Sequence, residues 1–240
     1  MTPNHAVVSP KEWLEARKKL LALEKELTHL RDRINAERKA LPWVKVEKDY
    51  VFDTTGGKKT LADLFDGRSQ LLLYHFMLGA NWEAGCKSCS FLVDHFDGAL
   101  VHLNHHDVTL IAASNAPLAK IEAYRKRMGW RFPWVSAFGS DFNGDFHVSF
   151  SPAELGGKVV YNFTEIDGSD AYDELPGLSA FYKDEDGTVY HTYSTYARGL
   201  EELVGTLMLL DRAPKGRNEG TTMDFVRRHD EYEDAPRRRA

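Results

Sequence analysis

Cysteine is nearly absent from this chain: 240 residues carry two, Cys86 and Cys89. That excludes a disulfide-stapled secreted scaffold. Long apolar runs are missing as well. The most apolar stretch, "QLLLYHFML" at 70–78, is far short of a membrane span. No sign of charge dominates, since 31 basic and 36 acidic residues leave a net charge of −5, which argues against a general nucleic-acid binder. The opening "MTPNHAVVSPKEW" lacks a basic segment followed by an apolar core, so no secretory leader is expected and the chain is read as cytoplasmic, with thiols reduced at rest. Internal repeats, low-complexity tracts, a Gly-rich phosphate cradle after a strand and a serine nucleophile elbow are all lacking, and no cofactor is expected. Asp141, Asn143 and Asp145 alternate as in a calcium loop, but the bidentate Glu that such a loop needs downstream is missing. No metal site is expected.

What remains is 42% apolar and 28% charged, the balance of a globular protein with room for one good-sized core and an appendage. Ser9-Pro10-Lys11-Glu12 reads as a capped helix start with proline at its first position. Trp13, Leu20, Leu23, Leu27, Leu30, Ile34 and Leu41 then recur in steps of three, four or seven, with Lys, Arg and Glu between them. The pattern predicts one long amphipathic helix over 10–40, which either packs on its own domain or, the favoured reading, is an arm that clasps a second subunit in a homodimer. Residues 43–66 predict two short strands around a Gly56-Gly57 turn. The run at 70–78 predicts a buried strand, followed by a helix that starts at the cysteines and carries Phe91, Leu92, His95, Phe96, Leu100 and Leu103. "DVTLIAAS" predicts a second buried strand. "APLAKIEAYRKRMGW" predicts a helix whose inward side is Ala116, Leu118, Ile121, Tyr124 and Met128. Residues 130–174 are aromatic- and Gly-rich without clear period and read as an insertion or long loops. "GLSAFYKDEDGTVYHTYS" is a hairpin signal turning at Asp186-Gly187, and "ARGLEELVGTLMLLDRAP" predicts a closing helix. The expected organisation is a helical arm over 1–42, an α/β domain over 43–212 and a charged tail over 213–240, mobile or wrapped around a neighbour.

The two cysteines stand three apart, which random placement in this length would give about one time in a hundred. They fall where a strand and loop lead into a helix, so Cys86 sits at the positive end of the helix dipole, with Lys87 beside it. Cys89, one turn on, lies on the same side and within reach of a disulfide. A redox couple is the favoured reading, Cys86 attacking and Cys89 resolving. A zinc site drawing on His95, His102, His105 and His106 is weaker, because His95 and His102 share the helix and point in differing directions; buried filler is the third alternative. Trp82 either lines the rim of such a site or pins the loop, and Glu83 reads as solvated.

A strand, a C-x-x-C at a helix start, a second strand and helix, then Pro176 before a hairpin and a last helix resemble the thioredoxin fold. More closely, "GCKSCSF", "APLAKIEAYRKRMGWRFPWVSAFGSDFNGDF" and "LPGLSAFYKDEDGTVYHTYSTYARG" resemble a bacterial thioredoxin-like family catalogued as domain of unknown function 899, over roughly residues 10 to 230. The resemblance implies a central mixed sheet flanked by helices, with an N-terminal hairpin extension. It also implies a redox role without a fixed substrate. Pro176 matches the place where that fold carries a cis-proline lining a groove for a peptide or disulfide, so Trp82, Lys87 and Pro176 are the expected substrate contacts. The expected substrate is a protein or small-molecule disulfide. The chain departs from W-C-G-P-C by Gly85 before the first cysteine and Lys87-Ser88 between the two. The peroxiredoxin signature would need Pro at 79 and Thr or Ser at 83, where this chain has Gly79 and Glu83. A peroxidase-like reductase and a non-catalytic interaction protein dimerising through its N-terminal helix are the alternatives.

Overall fold

The computed structural model of the chain describes residues 5–233. The chain divides into two compact units, Met1–Pro42 and Trp43–Ala240. The first is one helix, α1 (Pro10–Lys39). Ser9 Oγ accepts from the Glu12 N–H and the Glu12 carboxylate accepts from the Ser9 N–H, with Pro10 where its missing N–H costs nothing. Arg38 and Lys39 face the negative end of the dipole in the last turn.

The second unit is an eight-stranded mixed sheet. Its strands in chain order are β1 (Val44–Lys45), β2 (Val51–Thr54), β3 (Gly57–Thr60), β4 (Gln70–His75), β5 (Val108–Ser114) and β6 (Trp134–Ser136). A separate hairpin, β7 (Lys158–Tyr161) with β8 (Thr164–Asp167), precedes β9 (Gly177–Lys183) and β10 (Val189–Tyr196). The sheet order is β1-β10-β9-β4-β5-β6-β2-β3. β4, β5 and β6 run parallel, and β9 returns antiparallel against β4. Parallel neighbours need crossover helices: α2 (Lys87–Val93) and α3 (Phe96–His105) join β4 to β5, and α4 (Leu118–Met128) joins β5 to β6. Short helices α5 (Phe142–Asp145), α6 (Pro152–Leu155) and α7 (Gly205–Leu210) complete the unit. The expected thioredoxin-like α/β architecture is present, with the N-terminal β2–β3 hairpin and the long first helix.

β4 is buried on both faces because both carry apolar side chains. Leu71 and Leu73 enter one core with Phe52, Phe65 and Phe181, while Tyr74 and Phe76 enter the other with Phe96, Trp130 and Trp134. The second core holds the cysteines, so β4 is the floor of the site.

Four expectations need correction. Residues 130–174, expected as an insertion or long loops, supply β6, a parallel strand of the main sheet too short to show a period, along with α5, α6 and the β7–β8 hairpin. The helix expected to run unbroken from the cysteines is two helices, parted at Asp94 and His95. His95 accounts for the break: its Nδ1–H donates to the Leu92 carbonyl (3.0 Å), and its Nε2 accepts from the Thr206 N–H (3.1 Å), tying the junction to α7. The closing helix is a 3-10 segment over Ala197–Leu203, then α7. The tail expected from 213 onward is, over its described part, packed on the second unit; its last residues, 234–240, lie outside the described residues. Val226 is buried, and Met223 and Phe225 pack against the same core. Polar groups that made this segment look solvated have partners, Asp230 with Arg127 (2.8 Å) and His229 with Asp94 (2.6 Å).

A polar relay runs through the interior beside β4. The His191 Nε2–H donates to Ser194 Oγ (2.8 Å), Ser194 to Ser179 Oγ (2.9 Å) and Ser179 to His75 Nε2 (2.9 Å). The His75 Nδ1–H then faces Asn143 Oδ1 (3.3 Å), and the Asn143 amide reaches Glu174. His75 is satisfied as the neutral ring, the form a low-dielectric interior favours. Burial accordingly lowers His75 to about 4 and raises Glu174 to about 8.

Because the native state holds the Glu174 proton more tightly than the unfolded chain, the stability it confers is complete below the ordinary carboxylate range. It is lost progressively as pH rises toward 8. Glu174→Gln, which is always neutral, removes that loss. Thermal melts from pH 5 to pH 8 are expected to show wild type losing stability relative to the variant; parallel curves would show Glu174 charged throughout.

Candidate active site

The site is built where β4 ends. Residues 76–86 leave the strand and return, with the Cys86 N–H donating to the Met77 carbonyl (3.1 Å). Lys120 of α4 donates to the carbonyls of Ala80 and Trp82. The turn into α2 requires Gly85, because a Cβ there would stand 2.6 Å from Phe76 and 2.7 Å from Tyr124. Cys86 caps α2, and its sulfur is half-buried where the first N–H groups of the helix lack intrahelical partners.

Those groups set the electrostatics. The Cys86 thiol is lowered to about 6. The largest cause is a hydrogen bond from the Cys89 thiol. Burial opposes it, the backbone N–H groups of Cys89 and Ser88 add to it, and the positive charge of Arg228 contributes last. Cys89 is fully buried and moves the opposite way, well above the ordinary thiol range, first through burial and then through its bond to Cys86. Beneath it the Tyr74 hydroxyl, also buried, hydrogen-bonds the Cys89 sulfur and opposes part of that rise. The two cysteines are free thiols.

Arg228 comes from the C-terminal segment. Its Nε and Nη2 donate to the Gly85 carbonyl (3.0 and 2.7 Å), and Nε also reaches the Tyr124 hydroxyl (3.0 Å). Tyr124 passes its proton toward Ser90 Oγ (2.9 Å), and Ser90 donates to the Cys86 carbonyl (2.8 Å). The peptide units on both sides of Cys86 are thus held by one chain of hydrogen bonds.

The sulfurs open on a cavity of about 220 Å³. Tyr74 of β4, Met77 just beyond it, Leu92 of α2 and Pro176 before β9 line it. Leu200, Val204, Thr222 and Met223 close it from the 3-10 segment and the C-terminal segment, with the Arg198–Glu201 ion pair (2.9 Å) on the same wall.

Of the residues singled out in the sequence, Cys86, Cys89 and Pro176 meet here. Trp82 and Lys87 do not line the cavity. Trp82 pins the loop instead, donating from Nε1 to Asp173 (2.9 Å), and Lys87 is exposed at the helix start. The peptide bond before Pro176 is trans, as are all those described, against the cis bond that the resemblance implies. The Leu175 N–H bond to the Val148 carbonyl (2.8 Å) and the Tyr161 hydroxyl bond to the Pro176 carbonyl (2.7 Å) hold the chain through this point. Arg228, Tyr74, Thr222 and Met223 were not found by sequence reasoning. Tyr74 was read only as part of an apolar strand, and nothing in the spacing of the C-terminal charges marks Arg228 as an inward-facing group. No helix among the described residues is long and apolar enough to cross a membrane. No three His, Cys, Asp or Glu side chains among them are grouped as metal ligands, and His95 is engaged between Leu92 and Thr206.

Alkylation of Cys86 is expected to rise with pH and reach half its maximum near pH 6. Cys89→Ala, which removes the largest cause, is expected to move that midpoint upward further than Arg228→Gln, which removes the smallest. Equal midpoints in all three proteins would separate the thiolate from both contacts.

No curated protein matches this chain. Among solved structures, peroxidoxin BcpB from Mycobacterium tuberculosis is 15% identical, with 70% of this chain and 97% of that one covered at a TM-score of 0.41. Peroxiredoxin Q from Xanthomonas campestris is 12% identical over 65% and 88% at 0.41. The mitochondrial 2-cys peroxiredoxin from Plasmodium falciparum is 15% identical over 71% and 94% at 0.40. These are distant likenesses of fold, and no feature of the site rests on them. The family described as "Bacterial protein of unknown function (DUF899)" matches residues 2–232, nearly the whole sequence, and the chain belongs to that family.

Proposed function

We propose that the protein is a thiol–disulfide oxidoreductase with Cys86 as attacking thiolate and Cys89 as resolving thiol. One observation carries the reading: a half-buried sulfur at a helix start, lowered to about 6, with a second, protonated sulfur donating a hydrogen bond to it beside an apolar cavity. At neutral pH Cys86 is largely thiolate and Cys89 is thiol, so attacker and resolver are distinguished before any substrate arrives.

The first step forms a bond from Cys86 to one sulfur of a substrate disulfide, while the other substrate sulfur leaves as a thiolate. Once Cys86 is bonded to sulfur its negative charge is gone. The charge and hydrogen bond that held the Cys89 proton go with it, and the Tyr74 hydroxyl bond then favours the Cys89 thiolate. Cys89 attacks Cys86, an intramolecular disulfide forms, and the second substrate thiol is released. The pair has lost two electrons, and a dithiol donor must return them. The lining of Met77, Leu92, Leu200, Val204 and Met223 favours a substrate that presents an apolar group next to its disulfide, and Pro176 forms one wall for it.

With insulin as substrate and dithiothreitol as donor, Cys86→Ser is expected to lower turnover by on the order of a hundredfold or more. Incubated with insulin without dithiothreitol, Cys89→Ser is expected to keep the first step and accumulate a mixed disulfide at Cys86, visible as a mass increase that added dithiothreitol removes. Full turnover by Cys86→Ser would refute the assignment. Turnover of hydrogen peroxide in place of insulin by the wild type would move the reading to a peroxidase.

A further inference from the structure

Helix α1 repeats in sevens. Trp13, Leu20, Leu27 and Ile34 occupy one recurring position, and Ala16, Leu23, Leu30 and Glu37 the position three residues later. Together they form a single seam. No residue of α1 is buried, and the seam is open, Trp13 at 59% and Leu23 at 60% exposed. Most helix stability in proteins comes from packing an apolar face, and this one is uncovered. Lys11, Lys18, Lys25, Asp32 and Lys39 lie opposite the seam, and of the large apolar residues of α1 only Leu14 and Leu21 fall outside it.

The charges beside the seam specify what covers it. On one flank stand Glu12, Lys19, Glu26 and Arg33, and on the other Arg17, Glu24, Arg31 and Arg38. In an antiparallel pair of helices each flank faces the same flank of its partner. The register that sets Trp13 against Leu30 of the second copy also sets Leu20 against Leu23 and Leu27 against Ala16. It then brings Glu12 to Arg33, Lys19 to Glu26 and Arg17 to Glu24, and every facing charged pair is of opposite sign. A one-heptad shift brings Lys19 to Arg33 and Glu26 to Glu26. The parallel arrangement keeps three attractive pairs, but it brings Arg33 to Arg38 and sets Glu37 against Glu37 inside the seam. Like charges so placed are unfavourable, and flanking charges are what select coiled-coil orientation and register. The Arg17–Glu24 pair within one helix (2.7 Å) is exposed and weak, so it does not compete strongly with the same pairing between copies.

We propose that α1 is a dimerisation helix that pairs antiparallel with α1 of a second copy of this chain, in the register Trp13 to Leu30. This stands independently of the redox reading.

Two measurements on the full-length chain test it, both with Cys86→Ser and Cys89→Ser in the background. First, chains carrying Trp13→Cys are mixed with chains carrying Leu30→Cys and oxidised. A 13-to-30 disulfide between chains is expected, with neither 13-to-13 nor 30-to-30. Second, Lys19→Glu is expected to weaken the dimer in sedimentation by about tenfold. Lys19→Glu combined with Glu26→Lys is expected to restore it. In the parallel arrangement the double variant would instead set a carboxylate at position 19 beside Glu24 and an ammonium at position 26 beside Arg31, and would be weaker than either single variant. Self-linked disulfides, an unrestored double variant, or a monomer at all concentrations would each overturn the proposal.

Discussion

The hydrogen bond from the Cys89 thiol to the Cys86 sulfur is the contact on which the rest of the site depends. It acts on the two groups in opposite directions, lowering Cys86 and raising Cys89. Neither sulfur needs a strongly basic neighbour for this. The helix start supplies two N–H groups, and the floor of the site supplies burial and the Tyr74 hydroxyl. The asymmetry between the two thiols comes from their hydrogen bond, their unequal burial and the nearby Arg228 charge.

That geometry is held from three directions. β4 fixes Tyr74 below, Gly85 lets the turn approach Phe76 and Tyr124 closely, and Arg228 holds the Gly85 carbonyl from outside. The last of these comes from 143 residues beyond Gly85, in a segment whose composition looks solvated. Its polar side chains here are engaged: Arg228 with Gly85 and Glu231, His229 with Asp94, and Asp230 with Arg127. Met223 of the same segment lines the cavity, so the segment both steadies the sulfur and shapes the space in front of it. The relay from His191 to Glu174 is a different device. It lies beside the same strand but keeps its titratable members neutral, and its role is to satisfy buried polar groups.

The parts legible in the sequence were those with local causes. The capping box at Ser9, the apolar run of β4, the Asp186-Gly187 hairpin and the C-x-x-C at a helix start all follow from neighbours in the chain. Ile121, Tyr124 and Met128 face the core as their spacing predicts. What stayed illegible depends on distant partners. The β7–β8 hairpin and α5 and α6 lie where aromatic and Gly-rich residues show no period, each element only four residues long. The break at His95 comes from Thr206, and Trp82 faces Asp173 instead of the cavity. A charge pattern alone cannot distinguish an Arg228 that turns inward from one that stays in water.

The central claim is that these two sulfurs form one reversible couple. The direct measurement is equilibration of the wild-type protein across glutathione redox buffers, followed by mass mapping of the cysteines. A single Cys86–Cys89 disulfide that forms and disappears with one two-electron midpoint is the predicted result. Thiols that stay reduced at every poise, or that yield only stable glutathione adducts at Cys86 with Cys89 never engaged, would contradict the account.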